Sequence, residues 1–349
     1  MKSTIAFFVL LNSISCANEN KERIPEYSQL QIDPRAQINF LEKYTNENQD
    51  DDEMAYKLAK LYFTNGNIDS ALIYVNKAYL IDKNNNQYLF FQAQCFAVKG
   101  LFLDSKDAFE KVIENGIPHN DYISLAADIY FSTNNFTKAL NYLDRATAEN
   151  PDSPFLFYKK GVIYESKGDT INAIKNYNKS IELNPSFIDA YIKWADLETK
   201  RGNFSTVRKY LINALRFDSL NSNLYFHLAL AYKKLELKDS SSLFYEKAIQ
   251  FDSNYTDALY NISIIYLQQG KYARAEQYLK KIAYLRPETP NINFKIAYAL
   301  DFLNKETEAL NYYQKIDSSD INYNFAQRLI TRLKVKTTKT AVVEQEILK

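Results

Sequence analysis

Apolar residues recur along this chain at two spacings. Over short windows they return every three or four residues, the period of an amphipathic helix. On a longer scale one aromatic position returns every 34 residues: Tyr62, Phe96, Tyr130 and Tyr164, then Tyr232 and Tyr266, with Glu198 and Leu300 on the intervening and last beats. Eight beats without a slip imply one supersecondary unit copied in tandem, and 34 residues hold two helices and two turns. Numbering each unit from 1 to 34 places the starts at Asp52, Asn86, Asn120, Pro154, Ile188, Ser222, Thr256 and Pro290, with the aromatic beat at position 11.

Two further positions carry small residues. Position 8 reads Ala59, Ala93, Ala127, Gly161, Ala195, Ala229, Ser263, Ala297, and position 20 reads Ala71, Ser105, Ala139, Ala173, Val207, Ser241, Ala275, Ala309. Helices that cross closely need small side chains where ridges enter grooves, so these predict the contact between the two helices of a unit. Punctuation agrees. Gly66, Gly100, Gly168, Gly202 and Gly270 all fall at position 15, where a turn between helices accepts glycine at positive φ. Pro151, Pro185 and Pro287 fall at position 32, after the second helix, and Pro154 and Pro290 are expected to open first helices.

This small-aromatic-small signature at a 34-residue period resembles the tetratricopeptide repeat family. The resemblance covers residues 52–323 and implies an all-α chain: an α-solenoid superhelix of eight 34-residue helical hairpins. A solenoid needs covered ends. Residues 34–51 are expected to supply an N-terminal capping helix, with Ile38, Leu41 and Tyr44 on one side, and 324–334 a C-terminal one, followed by a polar, frayed tail at 335–349. Glu198 on an aromatic beat, with Val207 at position 20, predicts looser stacking in the fifth repeat.

The N-terminus carries a separate signal. Lys2 precedes the apolar run Ile5–Leu11, too short to span a bilayer, which takes about 20 residues. Residues 1–15 have the form of a secretory signal peptide. Ser13-Ile14-Ser15-Cys16 resembles a bacterial lipobox, which implies that Cys16 is lipidated, palmitate being one acyl group such a cysteine carries, and that 16–33 tether the solenoid to a membrane. That resemblance implies an outer-membrane lipoprotein of the bacterial cell envelope, on its periplasmic or surface face. Ordinary cleavage after Ala17 would instead give a secreted or periplasmic soluble protein. Cys95 is then unpaired and reads as a small buried hydrophobe.

Charge and composition remove several functions. The chain has 43 basic and 42 acidic residues; loss of residues 1–15 removes only Lys2, leaving a formal charge of zero. Nucleic-acid binders show a basic footprint, so none is expected as a partner. His119 and His227 are the only histidines, and they form no metal-ligand spacing. The glycines are used one per turn, leaving no phosphate loop. The acidic run Asp50–Glu53 suits a helix N-terminus. No catalytic residue, metal or cofactor is expected, and the chain reads as a non-enzyme. Asp69-Ser70-Ala71, Asp169-Thr170-Ile171 and Asp218-Ser219-Leu220 resemble a short bacterial O-glycosylation motif.

In the tetratricopeptide family the first helices line a concave groove, mainly through positions 2, 5, 6, 9, 12 and 13. Carried over, this implies a partner-binding groove at Tyr56, Phe63, Phe90, Phe131, Tyr158, Phe226, His227, Tyr260 and Phe294. Aromatic side chains in a groove anchor extended or helical peptides. The expected function is a scaffold for protein or peptide partners in a cell-envelope assembly or secretion system, with a glycan- or small-ligand-binding lipoprotein as the alternative. Position 5 lacks the lysine that related adaptors use to hold a terminal carboxylate. The single Trp194 falls on a core position rather than on a sugar platform.

Overall fold

The computed structural model describes residues 34–115 and 121–347, which form eighteen helices with no strand among the described residues. The signal peptide, Cys16, the tether and His119 lie outside the described residues. A lone helix, α1 (Pro34–Glu47), comes first. Four hairpins follow: α2 (Asp52–Thr64) with α3 (Ile68–Ile81), α4 (Asn86–Val98) with α5 (Phe102–Glu114), α6 (Asp121–Ser132) with α7 (Phe136–Glu149), and α8 (Pro154–Ser166) with α9 (Thr170–Leu183). Four more are α10 (Ile188–Lys200) with α11 (Phe204–Ala214), α12 (Ser222–Lys234) with α13 (Lys238–Phe251), α14 (Thr256–Gln268) with α15 (Tyr272–Leu285), and α16 (Ile292–Phe302) with α17 (Glu306–Tyr313). The chain ends in α18 (Tyr323–Ile347). It divides into two compact units, residues 1–176 and 177–349. Within each, a second helix packs on the first helix of the next hairpin, as α3 on α4 in the first and α13 on α14 in the second.

The turn inside each hairpin has one geometry. Position 15 has positive φ in all eight: +73 to +85° at the five glycines, and 57 to 62° at Asn134, Glu236 and Asn304. The next N–H then reaches back to the carbonyl of position 11, as in Asn67 to Tyr62 (2.9 Å), Asn135 to Tyr130 (2.7 Å) and Lys271 to Tyr266 (2.8 Å). This six-to-one bond satisfies a carbonyl that the helix end would leave open. Asparagine tolerates the left-handed region; glutamate has no such excuse.

Positions 8 and 20 are buried in every hairpin. In two of them the approach is close enough for a hydrogen bond across the pair: Ser105 Oγ donates to the Ala93 carbonyl at 2.7 Å, and Ser241 Oγ to the Ala229 carbonyl at 2.9 Å. A larger residue at either position would force the helices apart.

The aromatic beat has a partner that the sequence pattern did not reveal. In four hairpins the ring at position 11 stacks on a ring at position 23. The pairs are Tyr62–Tyr74 (5.6 Å, 7°), Tyr130–Tyr142 (5.6 Å, 9°), Tyr232–Phe244 (5.1 Å, 15°) and Tyr266–Tyr278 (6.1 Å, 16°). Three of the phenols also donate to a glutamate twenty residues upstream, on the preceding second helix or on α1: Tyr62 to Glu42, Tyr130 to Glu110 (3.2 Å) and Tyr266 to Glu246. Burial, then the facing carboxylate, raises the pKa of each phenol, that of Tyr266 to about 12.

The fifth repeat is fastened by contacts of a different kind. Glu198 is buried and accepts from Arg201 Nη1 at 2.7 Å and from the Asn203 amide, so it fastens its own turn. Tyr210 at position 23 stacks instead on Trp194, at 4.3 Å and 20°. The core position occupied by tryptophan supplies the ring that the beat lacks.

Both ends are covered. In α1, Leu41 is buried against Met54 and Leu58, with Ile38 and Tyr44 beside it, and Lys77 Nζ donates to the Thr45 carbonyl at 2.6 Å. α18 starts where a ninth unit would begin and packs on α17, with Ala326, Ile330 and Leu333 buried. Two expectations need correction here. The residues expected to form a frayed tail continue α18 to Ile347; they contain no glycine or proline to stop it, and Lys336 pairs with Glu306 at 2.6 Å. Pro290 does not open a helix: Asn291 is left-handed (φ 59°) and α16 begins only at Ile292. Cys95 is fully buried, and burial pushes its thiol up to about 12.

Glu236 is exposed and holds the left-handed turn position. Glu236→Gly is expected to raise unfolding stability by about 1 kcal/mol, the left-handed cost relieved less glycine's added freedom in the unfolded chain. A higher urea midpoint for the variant checks this; a lower one would contradict the turn assignment.

Candidate functional site

The rings at positions 5 and 12 are half-buried on the first helices. In the first unit, Tyr56 and Phe63 gather round Phe91, with centroids at 5.4 and 5.2 Å. Tyr56 also lies 4.8 Å from Tyr88, and Lys60 Nζ sits 4.2 Å over its ring. Phe90 and Phe131 pack on one core cluster that includes Ala93 and Ala127, and Phe131 meets Phe136 at 6.0 Å. Tyr158 is half-buried on α8. In the second unit, Phe226 lies 4.9 Å from Tyr255 and 5.8 Å from Tyr245. Tyr260 lies under Lys295 Nζ at 5.4 Å. Phe294 packs edge-on to Tyr313 at 5.8 Å. The nine residues therefore do not form one cluster. Eight of them are half-buried rings in local groups within their own unit, and the ninth, His227, is buried.

The polar residues among them are largely paired. Lys159 Nζ meets Asp128 Oδ2 at 2.8 Å; burial raises the Asp128 pKa, and the lysine opposes this. Lys233 Nζ donates to Asn261 Oδ1 at 2.8 Å, and burial, then Lys234, lowers its pKa. His227 is only 7% exposed, so it offers a partner little surface. Its Nδ1 lies 3.2 Å from Asp196 Oδ1 but without hydrogen-bond alignment. Burial lowers its pKa below the ordinary value, against the pull of Asp196, which leaves the imidazole neutral near pH 7. The acidic run ahead of α2 is structural: Asp51 caps the helix by accepting from the Met54 N–H at 3.0 Å, and Asp52 accepts from Tyr88 at 2.7 Å.

Two features lie outside the sequence-derived set. Tyr298 and Phe302 continue the row from Phe294 along α16; their four-residue spacing was the available signal. The other is a cavity of about 440 Å³ on the second-helix side, lined by Glu110, Glu114, Tyr130, Lys138, Tyr142 and Arg145. Its floor is the stacked pair Tyr130–Tyr142, with Lys138 Nζ 4.8 Å over the Tyr130 ring. No periodicity could have revealed it, because it depends on the gap between α5 and α7. Among the described residues no helix is long and apolar enough to cross a membrane.

Comparison with known proteins agrees with this architecture. Family models described as "Tetratricopeptide repeat" match residues 52–85, 121–153, 156–187 and 222–255, and residues 244–277. The TPR repeat-containing protein YpiA of Bacillus subtilis is 22% identical over 209 residues, covering 58% of this chain and 49% of YpiA. The chain spans about half or less of the length of the first curated relatives it matches. Two solved structures are similar in fold. One is the C-terminal part of a TPR repeat-containing protein from Cytophaga hutchinsonii (TM-score 0.58, 15% identity, 69% of this chain and 99% of that one). The other is a tetratricopeptide repeat protein from Parabacteroides merdae (TM-score 0.54, 18% identity, 71% and 98%). Family models thus identify tetratricopeptide repeats in this chain, and the remaining hairpins share their turn and close approach, so the chain is an all-α array of consecutive hairpins of tetratricopeptide-repeat fold.

Proposed function

We propose that this chain is a non-enzymatic scaffold that holds protein or peptide partners on the faces of its first helices, as a lipid-anchored component of a bacterial envelope assembly or secretion system. Proteins built from these repeats generally mediate protein–protein interactions. The observation that carries the reading is the recurrence of half-buried rings at position 5. Tyr56, Phe90, Tyr158, Phe226, Tyr260 and Phe294 are half-buried at six of the eight repeats of this position, with Ser124 and Ile192 at the other two. Such rings give large contact area at low entropic cost, which is what interface anchors need. The zero formal charge of the mature chain argues against a nucleic-acid partner, and the reading needs no metal or cofactor. The lipobox-like Cys16 and the signal-peptide form of residues 1–15 support the membrane anchor. One observation favours small-ligand binding as a second reading: the cavity of about 440 Å³ on the second-helix side falls within the size of small-molecule sites.

Two experiments test these points. Cys16→Ala is expected to move the protein from the membrane fraction to the soluble fraction of the cell; a variant that stays membrane-bound contradicts the anchor. The Tyr158→Ala/Phe226→Ala variant is expected to lose most of the partners that cross-link to the intact protein, with its helix content unchanged. An unchanged partner set would remove the first-helix face as the binding surface.

A further inference from the structure

Five rings of the second unit form a row that the core leaves half open. Phe294, Tyr298 and Phe302 stand four residues apart on one face of α16, with centroids 6.4 and 4.8 Å apart. Tyr272, from the start of α15, stacks on Phe302 at 4.5 Å and 16°. At the other end Phe325 of α18 lies 5.9 Å from Phe294. The inner side of the row rests on buried Tyr313. Two of its rings stand well out in water, Phe302 at 52% and Phe325 at 47% exposed, and the end ring Tyr272 is half-buried. A run of touching aromatic rings that stands partly in water is an apolar surface with interface character.

Of the charges beside the row, the two without an ion-pair partner are both basic. Lys295 follows Phe294 in sequence and holds its Nζ 5.4 Å over Tyr260; Arg328 sits 6.0 Å over the Phe325 ring. Neither has a carboxylate partner among the described residues. The neighbouring cations are engaged: Arg332 pairs with Asp301, and Lys305 with Glu276 at 3.0 Å. A partner lying along the rings would therefore meet two cations that the fold has left uncompensated.

We propose that the row Tyr272–Phe302–Tyr298–Phe294–Phe325 is a docking strip for a partner segment in which apolar side chains stand next to carboxylates. Its apolar groups lie on the ring faces, and its carboxylates reach Lys295 and Arg328 as charge-assisted hydrogen bonds. The assignment rests on the scaffold reading and narrows it: it names one stretch of the first-helix face, extended by α15 and α18, and the chemistry of its occupant.

The test is a selection of random dodecapeptides displayed on phage against the full chain. Enriched peptides are expected to combine Phe, Leu or Trp with Asp or Glu. A synthetic copy of the leading peptide is expected to bind at least tenfold more weakly to Phe302→Ala/Phe325→Ala, and likewise to Lys295→Glu/Arg328→Glu, in fluorescence anisotropy. The second variant changes only surface charge and keeps the test valid if the first loses helix content. Selected peptides that bind both variants as tightly as the intact chain overturn the strip and leave the scaffold reading standing. Enrichment of basic peptides overturns the proposed occupant. No enrichment at all counts against strip and scaffold together. Binding of cellohexaose or maltohexaose that disappears in Phe302→Ala/Phe325→Ala, without peptide binding, overturns the proposal in favour of a glycan surface.

Discussion

The ring at position 11, stacked on the ring at position 23, joins three levels of this structure at one residue. Its backbone carbonyl accepts the bond that closes the turn, its ring fastens the second helix of the hairpin to the first, and in three repeats its hydroxyl reaches a glutamate on the neighbouring layer. Aromatic pairs contribute about 0.5–1.5 kcal/mol beyond the area they bury. The small residues at positions 8 and 20 let the helices come close enough for the rings to meet. In the fifth repeat, where Glu198 replaces the ring, it fastens the turn through Arg201 and Asn203, while Trp194 takes over the stack with Tyr210.

Helix geometry separates the ring that holds the hairpin from the ring proposed to meet a partner. Position 5 lies six residues before position 11, which at 3.6 residues per turn puts the two about 120° apart around the helix. The ring that locks the hairpin therefore does not compete with the ring that faces outward. In the last repeats the outward rings touch one another along α16 and are extended by Tyr272 and Phe325, with Lys295 and Arg328 alongside. Elsewhere the polar groups of the first helices are spent on each other, as in Lys159 with Asp128 and Lys233 with Asn261.

Much of this was legible in the residues. The 34-residue beat, the small positions and the glycine turns each have a local cause, so they show in the sequence. The turn position extends beyond glycine to Asn134, Glu236 and Asn304, which composition alone hides. Less legible were features that depend on contacts between distant residues. The tyrosine–glutamate links span twenty residues, and Tyr210 shows its partner only once Trp194 is placed. His227 holds a first-helix position of its repeat, but it lies buried beside Asp196 of α10 and Phe226. The C-terminal capping helix was legible over 324–334, but its continuation to Ile347 was missed because the polar residues there read as frayed, although nothing in them stops a helix. The late start of α16 follows from one left-handed asparagine, Asn291.

The central claim is that the stack between positions 11 and 23 holds the hairpin together. A double-mutant cycle on Tyr266 and Tyr278, each changed to Leu singly and together and followed by urea unfolding, measures it directly. If the rings hold each other, the two losses overlap and the coupling energy is about 0.5–1.5 kcal/mol. Losses that add to within about 0.3 kcal/mol, as for independent sites, would show that the rings merely fill space.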